Sequence, residues 1–345
     1  MRNISELIRP CIRRMKPYSS ARSEFQGNAS IFLDANENPY SQSFNRYPDP
    51  LQREVKAGIA ALKGVNPDQI LLGNGSDEPI DLMIRAFCEP HEDNIVAIDP
   101  TYGMYLVAAE ISDVEYRKVL LNDKFDLDAD MLINRCDRNT KLVFLCSPNN
   151  PTGNALSAEA IEKVIKNAPG IVILDEAYID FSAHPSFMEK LNEYPNLVIL
   201  QTFSKAWGSA GIRLGMAFAS PEIVAVLNNI KYPYNINDLT QREALKILDR
   251  KQEVEEWVKT ILSERATLAA KLKELPYIKH LYPSDANFIL VKVDDANALY
   301  DYLIAEGIVI RNRNSVSLCM GCLRITIGTP DENSRLLEAM NKYNA

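Results

Sequence analysis

The sequence predicts an α/β fold, a mostly parallel sheet flanked by helices, followed by a smaller α+β unit. Three observations carry this. From about residue 50 to 220, short apolar runs bounded by Gly, Pro, Asn or Asp alternate with amphipathic stretches. After about residue 235 the texture changes to one long amphipathic stretch and then three more strand-like runs. The chain has 345 residues, 46% hydrophobic and 24% charged, an ordinary globular mix long enough for two domains.

The first-unit runs are "QILLG" (69–73), "NIVAIDP" (94–100), "KLVFLCSP" (141–148), "GIVILDEAY" (170–178), "NLVILQTFSK" (196–205) and "GMAFAS" (215–220). They are rich in β-branched residues and lack strict alternation, so they read as strands buried on both faces. Helices are expected at 77–88, 102–111, 157–167 and 221–229, and strand–helix alternation of this kind implies a parallel sheet. Ligands of such sheets sit at the carboxyl ends of the strands. In 250–275, Val254, Trp257, Val258, Ile261, Leu262, Leu268 and Leu272 fall on one helical stripe, as expected of a helix bridging two domains. Strands at 287–293, 307–312 and 322–328, with helices at 295–306 and 330–342, make the second unit. The expected division is an arm with part of the small domain at 1–40, a large domain at 41–250 and a small domain at 251–345.

Net charge is −8 with acids and bases interspersed, which leaves no footprint for nucleic acid. Six scattered cysteines read as free thiols of a reducing compartment. With three histidines and no second ligand pair for "CMGC" (319–322), no metal site is expected. The charged N-terminal stretch and the lack of a long apolar span predict no signal peptide, no membrane span and a cytoplasmic location. The Asn-x-Ser matches at Asn3 and Asn28 then carry no meaning.

Four apolar runs end in polar residues at the ligand-binding edge: "GNGSDE" (73–78), "NNPTG" (149–153), "DEAY" (175–178) and "QTFSK" (201–205). Each alone could be a turn. Together they offer a lysine, an aspartate, an asparagine, a tyrosine and a nearby arginine, the set that pyridoxal phosphate uses. Its aldehyde condenses with a lysine, its ring nitrogen needs a carboxylate, and its phosphate suits an arginine and a helix start. "GNG" lacks the third glycine of a dinucleotide fingerprint.

"SPNNPTG", "DEAY" and "SKAWGSAGIRLG" resemble the signature blocks of fold-type-I pyridoxal-phosphate aminotransferases. "KPYSSAR", "LDANENP", "NRYPDP", "GNGSDE", "PTYGMY" and "GCLRITIG" resemble the histidinol-phosphate aminotransferase subgroup, over nearly the whole chain. The resemblance implies a seven-stranded, mostly parallel sheet in the large domain and a ping-pong exchange between histidinol phosphate and 2-oxoglutarate. It implies that Lys205 binds the aldehyde, Asp175 faces the pyridine nitrogen, and Asn150 and Tyr178 face the phenolic oxygen. Ser204, Arg213 and the backbone of Ser76 and Asp77 would hold the phosphate, and Tyr102 would stack on the ring. Tyr47 would reach the cofactor phosphate of a neighbouring subunit, which implies a homodimer. Tyr18, Asn36, Arg311 and Arg324 would bind substrate, since two arginine forks suit a phosphate and then a carboxylate. Alternation along the strand leaves open whether Arg311 or Arg313 points inward.

Bland readings stand beside these. Lys205 alone would be a solvated surface lysine, Asp175 a helix cap, Tyr102 and Tyr178 core aromatics, and Ser76 a turn residue. Two other enzymes share the blocks, an aromatic amino-acid aminotransferase and a threonine-phosphate decarboxylase. A non-catalytic regulator domain would carry a DNA-binding extension, for which an arm of about 30 residues is too short.

Overall fold

The computed structural model describes residues 3–18, 29–40 and 43–343. Ser19–Arg22 of the "KPYSSAR" block and Asn28 lie outside the described residues. Seven strands build the first sheet: β1 (Ile70–Asn74), β2 (Asn94–Asp99), β3 (Glu115–Leu120), β4 (Thr140–Cys146), β5 (Ile171–Asp175), β6 (Leu197–Thr202) and β7 (Leu214–Phe218). Their order is β1-β7-β6-β5-β4-β2-β3. Only β7 runs against its neighbours, pairing antiparallel with both β1 and β6.

Alternate residues of each strand enter two different cores. Val143 and Leu145, Val172 and Leu174, and Ile199 pack on one face. Leu142 and Phe144, Ile171 and Ile173, and Val198 and Leu200 pack on the other. Both faces are covered by helices, so neither can be polar, and the runs read as continuously apolar. Asp77–Phe87 and Pro221–Ile230 sit on the second face, while Ala158–Asn167 covers the first. Ser157 and Ser220 cap two of these helices by accepting from Ala160 N and Ile223 N. Ile4 and Leu7 of the N-terminal arm are buried in the second core of this sheet, not against the second sheet.

The second sheet has four strands, β8 (Ile278–Leu281), β9 (Phe288–Val293), β10 (Arg311–Asn312) and β11 (Cys322–Thr326), in the order β10-β11-β9-β8. The expected strand at 307–312 shrinks to two residues, because pairing with β11 covers only Arg311 and Asn312. Val309 points outward, 78% exposed. The helix Lys251–Leu272 does bridge. Val254 lies in the large-sheet core and Leu268 and Leu272 in the small-sheet core, with Ile261 packed against both. Trp257 leaves the stripe, with the Arg250 guanidinium 5.3 Å over its ring.

All six cysteines are free thiols. Among the described residues no cluster could hold a metal ion, and no helix is long and apolar enough to cross a membrane.

Candidate active site

A cavity of about 770 Å³ opens where β4, β5 and β6 end, against one edge of the second sheet. The antiparallel step from β6 to β7 builds its floor. Thr202 pairs with Gly215, so the intervening loop folds back on itself and carries both Lys205 and Arg213. Phe203 N–H donates to the Leu214 carbonyl at 3.0 Å and Gly208 N–H to the Lys205 carbonyl at 3.1 Å, which closes the loop.

Asp175 ends β5 and is 3% exposed. Its Oδ2 accepts from the Tyr105 hydroxyl at 2.6 Å and its Oδ1 from Ala177 N–H at 3.0 Å. Burial raises its pKa, and the Tyr105 bond and the Ala177 N–H oppose that rise. Lys205 Nζ lies 5.5 Å from the centre of the Tyr178 ring. Burial lowers the lysine's pKa, the Arg324 charge lowers it further, and Asp175 acts the other way. Asn150 Nδ2 donates to the Tyr178 hydroxyl at 3.3 Å.

The β1 end forms a second wall. Gly75 takes φ +68° and Gly215 packs against it so closely that a Cβ on Gly215 would lie 2.2 Å from the Gly75 carbonyl carbon. The helix Asp77–Phe87 starts there, and its first-turn N–H groups have no intrahelical acceptors. Arg213 Nη2 lies 3.7 Å from Asp77 Oδ2, and the Tyr102 hydroxyl donates to Asp77 Oδ1 at 2.9 Å. Behind this wall Glu78 accepts from Asn74 N–H at 2.6 Å, and Asn235 Nδ2 donates to Glu78 and to the Leu72 carbonyl.

The second sheet supplies the third wall. Arg311 and Arg324 stand opposite each other across β10 and β11 and both line the cavity, as does Arg313. The Arg324 guanidinium donates to the Asn150 side-chain oxygen and lies 5.1 Å from the centre of the Phe288 ring.

Thus Ser76, Asp77, Tyr102, Asn150, Asp175 and Tyr178 come together around one cavity, and so do Ser204, Lys205, Arg213, Arg311 and Arg324. Tyr18, Asn36 and Tyr47 do not line it. Tyr18 is 76% exposed. Asn36 and Tyr47 line a separate cleft of about 440 Å³, where Tyr47 stacks on Tyr234 with centroids 4.4 Å apart. Tyr105, which touches Asp175 without lining the cavity, was not read from the sequence and gave no signal beyond its place in "PTYGMY". Arg313 is the position that alternation left open.

These residues fit pyridoxal phosphate. A buried carboxylate with a spare lone pair faces a half-buried lysine, and an arginine joins a helix start at the far wall. The Arg324 Nε is buried without a partner, as expected of a donor awaiting an anion.

Such a constellation on this sheet defines an aminotransferase of the fold-type-I class. The chain belongs to the class I and II aminotransferase family, whose model matches residues 29–340. It is 59% identical to the histidinol-phosphate aminotransferase of Bacteroides fragilis (strain YCH46), over 99% of this chain and 100% of that one. The crystal structure of the histidinol-phosphate aminotransferase from Clostridium acetobutylicum superposes with a TM-score of 0.80 at 29% identity, covering 87% of this chain and 90% of that chain. The Sinorhizobium meliloti histidinol-phosphate aminotransferase, solved with pyridoxal-5'-phosphate, gives 0.78 at 25% identity, covering 86% and 83%.

Proposed function

We propose that this chain catalyses the reversible transamination between L-histidinol phosphate and 2-oxoglutarate, giving imidazole acetol phosphate and L-glutamate, as a step of histidine biosynthesis. The observation that carries the reading is its full-length likeness to histidinol-phosphate aminotransferases, joined to a cavity that holds Lys205, Asp175 and four arginines. The cofactor is pyridoxal 5'-phosphate, which when bound supplies an aldehyde for the donor amine and a ring that draws electrons from Cα.

The chain's residues do the rest. Lys205 would hold the cofactor at its aldehyde, and its amine would carry the proton of the substrate Cα. Its burial among positive charges lowers its pKa and so favours the neutral form that a base requires. Asp175 would face the pyridine nitrogen and hold its proton in place. Asn150 and Tyr178 orient the phenolic oxygen, with burial keeping the Tyr178 hydroxyl protonated as a donor. Arg213, Ser204 and the first-turn N–H groups at Ser76 and Asp77 would bind the phosphate, and Tyr102 would stack on the ring. Arg311 and Arg324 hold the anionic end of each substrate in turn.

With a division at 41–250 and 251–345, the proton chemistry would fall to the large domain and the binding of the substrate's anionic end to the small one. Tyr18 and Asn36 would join the substrate pocket, and Tyr47 would reach the cofactor phosphate from across a homodimer interface. Exposed Tyr47 and its distance from this chain's own cavity support that arrangement. A cytoplasmic location follows from the same reading.

The test is Lys205→Ala, which should leave no measurable transamination while the fold persists by circular dichroism. Near-native turnover would refute the assignment. For the donor, glutamate formed from 2-oxoglutarate with histidinol phosphate, and not with phenylalanine or threonine phosphate, is the expected result.

A further inference from the structure

Three guanidinium groups converge at the second-sheet wall, although two are enough for a carboxylate. Arg311 stands opposite Arg324 in the β10–β11 register, and Arg313 follows two residues later on the same side of the extended chain. The Arg313 main-chain N–H donates to the Cys322 carbonyl at 2.9 Å, which holds this position against β11. All three side chains line the cavity that also contains Lys205. Burial first, and then the like charges of Arg324 and Arg311, bring the Arg313 pKa down to about 10. It therefore stays protonated at neutral pH. Its Nε is buried and has no hydrogen-bond partner, like the Nε of Arg324. Like charges gathered with unpaired donors carry a cost that a bound anion offsets.

We propose that Arg313 is a third anion-binding residue of the donor pocket and that it selects a phosphate dianion over a carboxylate. The proposal rests on the reading of the chain as a histidinol-phosphate aminotransferase. A carboxylate has two oxygens and one charge, and the forks of Arg311 and Arg324 satisfy it. A phosphate monoester has three terminal oxygens and nearly two charges above its second pKa near 6. The third oxygen and second charge are what Arg313 meets. The same pocket then accepts a dicarboxylate through two arginines and a phosphate ester through three.

The experiment uses the cofactor-loaded enzyme as wild type, Arg313→Gln and Arg313→Lys. Half-reactions are followed in single turnover with histidinol phosphate and, separately, glutamate, and inorganic phosphate is titrated as a competitive inhibitor at about pH 5.5 and about pH 7.5, either side of its second ionisation. Arg313→Gln should lower kcat/KM for histidinol phosphate by roughly ten- to a hundredfold and for glutamate by less than about threefold. Arg313→Lys should recover part of that loss, since it restores the charge without the fork. Wild-type inhibition by phosphate should tighten as the dianion forms, and in Arg313→Gln that tightening should shrink.

Equal losses for both donors would overturn the proposal, showing that Arg313 only shapes the pocket. A larger loss for glutamate would overturn it too, assigning Arg313 to the dicarboxylate. If the wild type fails to use histidinol phosphate at all, the donor assignment fails instead, and the phosphate titration still decides the role of Arg313.

Discussion

The Tyr105→Phe substitution removes one oxygen from the interior and isolates Asp175, the carboxylate proposed to face the pyridine nitrogen. The Tyr105 hydroxyl is fully buried and donates to Asp175 Oδ2 at 2.6 Å, leaving only Ala177 N–H on the other oxygen. A hydrogen bond to a charged group contributes about 1.5–3 kcal/mol. Unfolding 345 residues at about 2.1 cal/mol/K each gives an entropy near 0.7 kcal/mol/K, so the melting temperature should fall by about 2–4 °C. The pH dependence gives a sharper signature. Burial already raises the Asp175 pKa above its unfolded value, so the folded protein holds the extra proton in that window. Stability without cofactor is thus full below the unfolded pKa and declines as pH rises through the folded one. The Tyr105 bond opposes the rise, so its loss extends the decline to higher pH. The melting difference between variant and wild type should be small in acid and grow toward neutrality. In the loaded enzyme, Asp175 would compete better for the proton of the pyridine nitrogen, and turnover should drop about tenfold or more. Melting of the cofactor-free protein across pH, with single-turnover rates of the loaded one, reads both effects. A melting difference independent of pH, with an unchanged rate, would refute the reasoning and reduce Tyr105 to packing.

Two further outcomes follow from close approach and from burial. Gly215→Ala would drive a Cβ to within 2.3 Å of Ser76 N, so the β1 loop must shift and cofactor retention on gel filtration should be lost. A variant that keeps its cofactor would show that the loop tolerates the displacement. Lys56 is 6% exposed, and its pKa falls from 10.5 to about 8 through burial and then the neighbouring Lys231. The folded protein then binds fewer protons than the unfolded chain between those values, so stability rises as pH climbs from about 8 to about 10.5. Lys56→Met should stabilise the protein at pH 7 by up to about 3 kcal/mol and flatten that rise. An unchanged slope in melting scans would count against it.

The parts of the fold most legible in the sequence are those where burial leaves no choice. β4, β5 and β6 are covered on both faces, so "LVFL", "IVIL" and "LVIL" announce themselves. β3 did not, because it is an edge strand whose "EYRKVL" keeps Glu115, Lys118 and Leu120 exposed or nearly so. At 307–312 the composition of a strand misled, since an apolar run at a sheet edge needs a partner and β11 offers one to only two residues. The polar groups after β4, β5 and β6 were legible because a parallel sheet brings its carboxyl ends together. Tyr105 was not, since its hydroxyl meets Asp175 only after the helix Met104–Ile111 packs on the sheet. Arg313 needed the register of β10 against β11, which a two-residue strand does not betray in sequence.

The two sheets divide the labour of the cavity, and this has an evolutionary consequence. Lys205, Asp175, Asn150 and Arg213 hang from the seven-stranded sheet, whereas Arg311, Arg313 and Arg324 hang from the four-stranded one. Arg324 reaches back, donating to Asn150 and adding to the burial that lowers the Lys205 pKa, but substitutions elsewhere on β10 and β11 could alter which anion is welcomed while Lys205 and Asp175 keep their surroundings. A lineage could therefore explore new amine donors through a stretch of about fifteen residues, without first dismantling its catalyst, and laboratory selection for altered donors could begin on that same short segment.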